Sequence, residues 1–362
     1  MATISLKHNN PKVNNIHQQK GHIIIEEIEG LIRVHKDGHV ERPQIVPNVS
    51  CKVPSENGVT SRDVTINRDT NLFARVYVPS SILLLTSHNN NNNNNKLPLL
   101  VYFHGGGFCV GSTSWICYHE FLNNLAIKAN CVILSVDYRL APENRLPLAY
   151  DDGFNALMWI KHEALNGTLY NGGSNKQNWW LSHCNMKLFL SGDSAGANIA
   201  YNVATRLASS NINSSCLNPF CLKGVILIQP FFGGEERTFS EKHFQQPQNS
   251  ALTLSISDTY WRLSLPLEAT ITRDHPYCNP LANGIVNKLR DLKLPSIMVC
   301  VSELDILKDR NLEFSNALVK AGKKVETFVY KGVGHAFQVL NNYQLSHYRT
   351  QEMMSHIKNF MN

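Results

Sequence analysis

Leu188-Phe189-Leu190-Ser191-Gly192-Asp193-Ser194-Ala195-Gly196 is the stretch on which the fold turns. An apolar run enters Gly-x-Ser-x-Gly, and Ala197, Ile199, Ala200, Val203, Ala204 and Leu207 leave it at helical spacing. That is the sequence form of a nucleophile elbow, a serine held in a strained strand-to-helix turn. The turn crowds its neighbours, so the positions two before and two after the serine must be glycine. The helix that follows turns its first N–H groups toward developing negative charge. Such a motif makes Ser194 the expected nucleophile.

The rest of the chain has the rhythm that an elbow requires. Leu97–Phe103, Cys131–Val136, Val225–Gln229, Ser296–Val301 and Val325–Tyr330 read as strands, most of them continuously apolar, and Asn71–Pro79 reads as a further strand. Helical patterns over Asp151–Ala164, Asp309–Ala321 and Met353–Met361 fall between or after them. Continuous apolar strands alternating with helices imply a mostly parallel sheet covered on both faces, an α/β fold. Residues 231–290 break the rhythm and read as an insertion with a helix near Asp258–Arg262. In Ile23–Val34 the periodicity sets Ile24, Ile28, Leu31 and Ile32 on one face and predicts a helix. Residues 1–20 are polar and predict a disordered tail, and the run Asn89–Asn95 predicts a flexible loop over about 88–96. One domain over 21–362 is expected, with the N-terminal segment (about 21–45) and the insertion as candidates for a lid.

Composition narrows the function. The chain has 362 residues, 43% hydrophobic and 17% charged, enough for a large core. Its formal charge of +6 is scattered, with no basic block, so no nucleic-acid partner is expected. Nine cysteines, without CxxC or His-paired spacing, argue against a disulfide framework and a zinc site and for a reducing compartment. The N-terminus lacks an apolar signal core, and no run is long enough to span a bilayer, so the expectation is a cytosolic protein with no membrane partner. Sequons at Asn48, Asn166 and Asn213 carry no weight in that compartment.

A serine needs a base, and the base needs an orienting carboxylate. In open α/β sheets such groups occupy loops after the carboxyl ends of strands. Asp305 follows the strand at 296–301 and His335 follows the strand at 325–330, in the order Ser194, Asp305, His335. Glu303 is the local rival of Asp305, while Asp309 suits the first turn of the next helix. His104-Gly105-Gly106-Gly107 follows a buried strand, so Gly106 and Gly107 N–H, with Ala195 N–H, form the expected oxyanion hole. His104 itself reads as a structural hydrogen-bonder, and Asp193 as a maker of local hydrogen bonds. Asp137, Arg139 and Glu143 are expected to form one buried charged network, and Asp151 and Asp152 to cap a helix. Phe108, Trp261 and Phe337 are the expected walls of a substrate pocket, with Trp115 and Phe232 either wall or core.

Taken together, His104-Gly-Gly-Gly-Phe108, Val136-Asp-Tyr-Arg-Leu-Ala-Pro-Glu143, Gly192-Asp-Ser-Ala-Gly-Ala-Asn198, Asp274-His-Pro-x-x-Asn-Pro280 and Gly334-His335 resemble the hormone-sensitive-lipase group of α/β-hydrolases. Within it, Glu26-Glu-Ile-Glu-Gly-Leu-Ile32 and Val40-Glu-Arg-Pro43 are similar to the plant carboxylesterases, and the resemblance covers about residues 22–361. The resemblance implies an eight-stranded sheet, a helical cap, no cofactor, and hydrolysis of a small-molecule ester, with a short acyl group the expected one. Similar plant proteins include hormone receptors that lack the histidine kept here as His335. They also include dehydratases, one branch of which has threonine where this chain has Ser194, and cyclases. A receptor and a lyase or cyclase are therefore the alternative readings.

Overall fold

The computed structural model describes residues 23–51, 58–82, 96–169, 178–209, 214–247, 250–268, 271–284 and 289–362. The expected tail at 1–20 and the asparagine run at 89–95 lie outside the described residues.

An eight-stranded sheet carries the chain. In sequence order its strands are β4 (Val59–Asn67), β5 (Leu72–Pro79), β6 (Leu97–Phe103), β7 (Val132–Asp137), β8 (Cys184–Asp193), β9 (Cys221–Ile228), β10 (Ser296–Ser302) and β11 (Val325–Tyr330). Their spatial order is β11-β10-β9-β8-β6-β7-β5-β4. From β7 through to β11 every pairing is parallel, and β5 joins antiparallel to both β7 and β4. β4 and the helix α1 (Ile116–Ala129) are elements that the sequence reading did not pick out.

Both faces of the central strands are apolar. In β6, Leu99, Val101 and Phe103 face one core layer, while Leu100 and Tyr102 face the other. The first layer is completed by α2 (Leu148–Leu169), α3 (Ala195–Ser209) and α6 (Lys308–Lys320), through residues such as Leu157, Ile199, Val203 and Phe314. α1 and α8 (Ser346–Met361) cover the second through Phe121, Leu125, Met353 and Ile357. Two helical layers explain why the strands read as continuous apolar runs rather than alternating ones. β11 lies at the edge, and there Glu326, Thr327 and Val329 are exposed.

The register levels the strand ends. Phe103 pairs with Gly192, Asp193 with Ile228, Ile228 with Cys300, and Ser302 with Tyr330. The loops after β6, β8, β9, β10 and β11 therefore leave the sheet along one edge, as the rule for open α/β sheets requires.

At the N-terminus the expected helix is absent. Ile24–Ile28 (β1), Ile32–His35 (β2) and Val40–Glu41 (β3) form a small antiparallel sheet. Ile28 pairs with Ile32 across the turn, and Glu27 pairs with Arg33, whose guanidinium lies 2.6 Å from the carboxylate. Along β2, Ile32, Val34 and His35 are buried, with the half-buried Arg33 between the first two. Isoleucine and valine favour a pleated strand, and the turn at Glu29-Gly30 allows the chain to fold back. Ile24, Ile28 and Ile32 fit a period of two as well as a helix, Leu31 falls in the turn, and tertiary packing selects the strand. The insertion contains α4 (Phe239–His243) and α5 (Leu254–Ser264), the second longer than the expected 258–262. Arg262 of α5 binds Glu26 of β1 at 2.8 and 3.0 Å, tying the two segments together.

Candidate active site

Ser194 sits between β8 and α3 at φ 53°, the strained geometry expected of an elbow. A Cβ at Gly192 would lie 2.3 Å from the backbone of Gly196, and one at Gly196 would lie 1.9 Å from Phe103 O. Neither position can hold a side chain, so both glycines are needed by contact. Ser194 N–H donates to Ile228 O at 2.8 Å, which anchors the turn to β9.

His335 comes from the loop after β11 and Asp305 from the loop after β10. His335 Nε2 lies 2.8 Å from Ser194 Oγ, and His335 Nδ1 lies 2.7 Å from Asp305 Oδ2. All three side chains are buried. A carboxylate can only accept, so the proton belongs on Nδ1, and Nε2 is left to accept from the serine hydroxyl. Leu307 N–H donates to the other oxygen of Asp305 at 3.0 Å. The rival Glu303 faces away and accepts from Gly332 N–H at 2.9 Å.

Gly106 and Gly107 lie beside Ser194 on the wall of a cavity of about 100 Å³. Their φ angles are 110° and 58°, which only glycine adopts without strain, and a Cβ on Gly107 would strike the Tyr260 ring at 2.2 Å. Among the described residues no acceptor takes the N–H of Gly106, Gly107 or Ala195. His104 keeps to a structural place, with Nδ1 2.8 Å from Gly105 O and its ring stacked on Tyr138.

Asp193 is bound into the glycine loop. Tyr102 Oη donates to its Oδ1 at 2.7 Å and Tyr118 Oη to its Oδ2 at 3.1 Å, while Gly105 N–H donates to Tyr118 Oη at 2.8 Å. Burial pushes the Asp193 carboxyl above the ordinary aspartate range, against the opposing pull of the two phenol donors and of His104. Burial also holds both phenols well above their usual value, so each remains a donor. Neither tyrosine carries a sequence signal that distinguishes it from a core residue.

The cavity walls differ from those expected. Leu31, Trp115, Tyr118, Phe231, Tyr260 and Val339 are among the lining residues, whereas Phe108, Trp261 and Phe337 are not. Those three rings are buried one layer further back. Trp261 stacks on Phe231 at 4.6 Å, Phe108 packs on Trp261 at 5.6 Å, and Phe337 packs on Tyr330 at 5.8 Å. Nearness in sequence to a reactive loop does not decide which way a side chain points. Phe232 also belongs to the core, against Tyr201 and Phe314.

Nor do the charged residues form the expected single network. Arg139 binds Asp152, Glu143 binds Arg42, and Asp137 accepts from Thr113 N–H. Asp152 is therefore not a helix cap: α2 begins at Leu148, and the buried carboxylate takes the Arg139 guanidinium and its backbone N–H. Asp151 pairs with Arg206. Asp309 lies in the first turn of α6 and accepts from Ser240 N–H. No group of three or more His, Cys, Asp or Glu among the described residues could hold a metal ion. No helix among them is long and apolar enough to cross a membrane.

A strand–serine–helix elbow, a buried Ser–His–Asp chain and a glycine loop on one sheet edge agree with the family comparisons. The α/β-hydrolase fold model matches residues 100–339. The chain belongs to that family. A carboxylesterase family model also matches residues 45–143. Probable carboxylesterase 6 of Arabidopsis thaliana is 45% identical over 97% of this chain and 94% of its own length. A 2-hydroxyisoflavanone dehydratase of Glycyrrhiza echinata is 34% identical, covering 87% of this chain and 90% of its own. Among solved structures, a fungal esterase from Rhizomucor miehei superposes with a TM-score of 0.65 at 26% identity, over 85% of this chain and 84% of that one. This α/β-hydrolase thus has esterases among its relatives on both comparisons, and a dehydratase beside them.

Proposed function

We propose that this α/β-hydrolase is a serine carboxylesterase acting on a small-molecule ester. The observation that carries the reading is the hydrogen-bonded chain Ser194–His335–Asp305, at 2.8 and 2.7 Å, opening into an apolar cavity beside Gly106 and Gly107. Ser194 Oγ bonds to the ester carbonyl carbon as its proton passes to His335 Nε2. The resulting oxyanion is held by the N–H groups of Gly106, Gly107 and Ala195, each donor of this kind contributing about 3 kcal/mol. Collapse breaks the carbon–oxygen bond to the alcohol, which takes the proton from His335. Water then repeats the sequence on acyl-Ser194, and the carboxylic acid leaves. Asp305 holds the imidazole tautomer and stabilises its charged form throughout.

The cap expected at about 21–45 and 231–290 fits this reading, because Leu31, Ile45, Ala251 and Leu252 from those segments line the cavity. A cavity of about 100 Å³ favours the short acyl group that the resemblance implied. Nine free cysteines fit a reducing cytosol. Hydrolysis of p-nitrophenyl esters from acetate to octanoate tests the proposal. The expected result is an optimum at the short end and a fall of about 10⁶-fold in kcat for Ser194→Ala, the scale seen when a triad serine is lost elsewhere. Folded wild-type protein that hydrolyses none of the series would contradict it.

A further inference from the structure

Gln229 is the first residue beyond β9 and is fully buried. Its side-chain amide joins the end of β10 to the loop after β11. Ala336 N–H donates to Gln229 Oε1 at 2.7 Å, and Gln229 Nε2 donates to Ser302 Oγ at 2.7 Å. Ala336 follows His335, and Ser302 ends the strand that leads to Asp305. The backbone of the same segment is tied in as well. Gln229 N–H donates to Cys300 O, and Ile228 O accepts from Ser194 N–H, both at 2.8 Å. Residues 228 and 229 thus touch the Ser194 elbow, the His335 loop and the end of the strand that leads to Asp305.

The amide orientation has one solution. A backbone N–H can only donate, so the oxygen must face Ala336 and the nitrogen must face Ser302. Both residues that meet across this bond are non-glycine and left-handed, Gln229 at φ 47° and Ala336 at φ 57°. Such backbone persists only where the surroundings hold it. β11 ends at Tyr330, so no strand partner is available to Ala336 N–H, and the glutamine supplies its acceptor.

We infer that Gln229 is a positioning residue: its amide sets the His335 loop at a fixed distance from the end of β10, from which the Asp305 loop departs, and so places the imidazole between Ser194 and Asp305. The inference rests on the esterase reading for its consequence in turnover, but not for its geometry. Replacing the amide with an apolar chain of similar length leaves the substrate cavity intact and releases the base, and a displacement of about 1 Å costs on the order of 100-fold in rate.

The test compares Gln229→Met, Gln229→Glu and Ser302→Ala with the wild type. For Gln229→Met, kcat on p-nitrophenyl acetate should fall about 100-fold with KM within about threefold, and Ser194 phosphonylation by a p-nitrophenyl phosphonate should slow in parallel. Gln229→Glu keeps an acceptor for Ala336 N–H and can accept from Ser302 at its other oxygen, so it should retain at least a tenth of wild-type kcat. Ser302→Ala should fall between the two. The downfield proton resonance of His335 Nδ1–H bonded to Asp305 reads the position without any substrate. It should be lost in Gln229→Met and kept in Gln229→Glu. A wild-type protein that turns over no ester would defeat the esterase reading, and this resonance would still decide the positioning role. An unchanged resonance and unchanged rates in Gln229→Met would overturn the inference. So would equal losses in the Met and Glu variants that merely follow a lowered melting temperature.

Discussion

The floor of the cavity and its roof are built by opposite rules. Ser194, His335, Asp305, Gly106 and Gly107 hang from the ends of adjacent strands, and sheet register fixes where those ends lie. Leu31, Ile45, Ala251 and Leu252 come from the N-terminal segment and the insertion, outside the eight-stranded sheet. The floor tolerates almost no change, because its hydrogen bonds and close contacts are individually required. At the cavity the roof offers mainly apolar contact. It is tied down further out by hydrogen bonds such as Leu146 N–H to Ser264 O at 2.9 Å and Ser240 N–H to Asp309 at 2.7 Å. The partly exposed Arg262–Glu26 pair adds to these, a kind that contributes only about 0–1 kcal/mol. On the proposed reading, chemistry belongs to the first region and choice of substrate to the second.

The strongest way to break this division is at Asp305. With Asp305→Asn the wrong tautomer of His335 is favoured, and kcat should fall about 10⁴-fold with the fold intact, as for the corresponding change in a well-studied protease. A loss smaller than tenfold in steady-state kinetics would move Asp305 out of the floor. At the roof, Leu31→Ala should act on binding. Removing apolar contact there should lower kcat/KM roughly tenfold for a long-chain ester while leaving kcat for the acetate near wild type. Equal losses on both esters would mean that the hairpin shapes the floor as well.

The smallest expected effect tests how the floor is charged. The Asp193 carboxyl is raised by burial, so its folded value lies above its unfolded one, about 3.9 for an ordinary aspartate. Its contribution to stability is therefore fully present below the unfolded value and is lost as pH rises through the folded value. Relative to Asp193→Asn, the wild type should gain stability as pH falls from neutral toward about 4, read as the urea midpoint of each protein. A difference that stays constant with pH would mean that the two tyrosine donors offset burial, and one that shrinks as pH falls would mean that they outweigh it.

The same division governs what could be read from the sequence. The elbow was legible because Gly192 and Gly196 are excluded from carrying side chains by contacts that a five-residue motif already implies. Asp305 and His335 were placed by strand patterns that precede them, a continuous apolar run at 296–301 and a mixed one at 325–330. Ile24, Ile28, Leu31 and Ile32 were not, since their spacing satisfies both a helix and a folded-back strand, and only packing on the insertion decides. Phe108, Trp261 and Phe337 misled because a ring beside a reactive loop can face the cavity or the core. Arg139 found Asp152 rather than its sequence neighbours because α2 returns across the sheet edge. Gln229 carried no signal at all: it read as the last residue of a buried strand, and its bonds show only once the end of β10 and the His335 loop are placed in space.

The most direct test of the central claim is to quench the wild-type protein during turnover of p-nitrophenyl acetate and weigh its peptides. A serine esterase predicts one added acetyl group, on the peptide that contains Ser194, decaying as free acetate appears. Ester turnover with no acyl group on Ser194, or with the acyl group on another residue, would contradict the account.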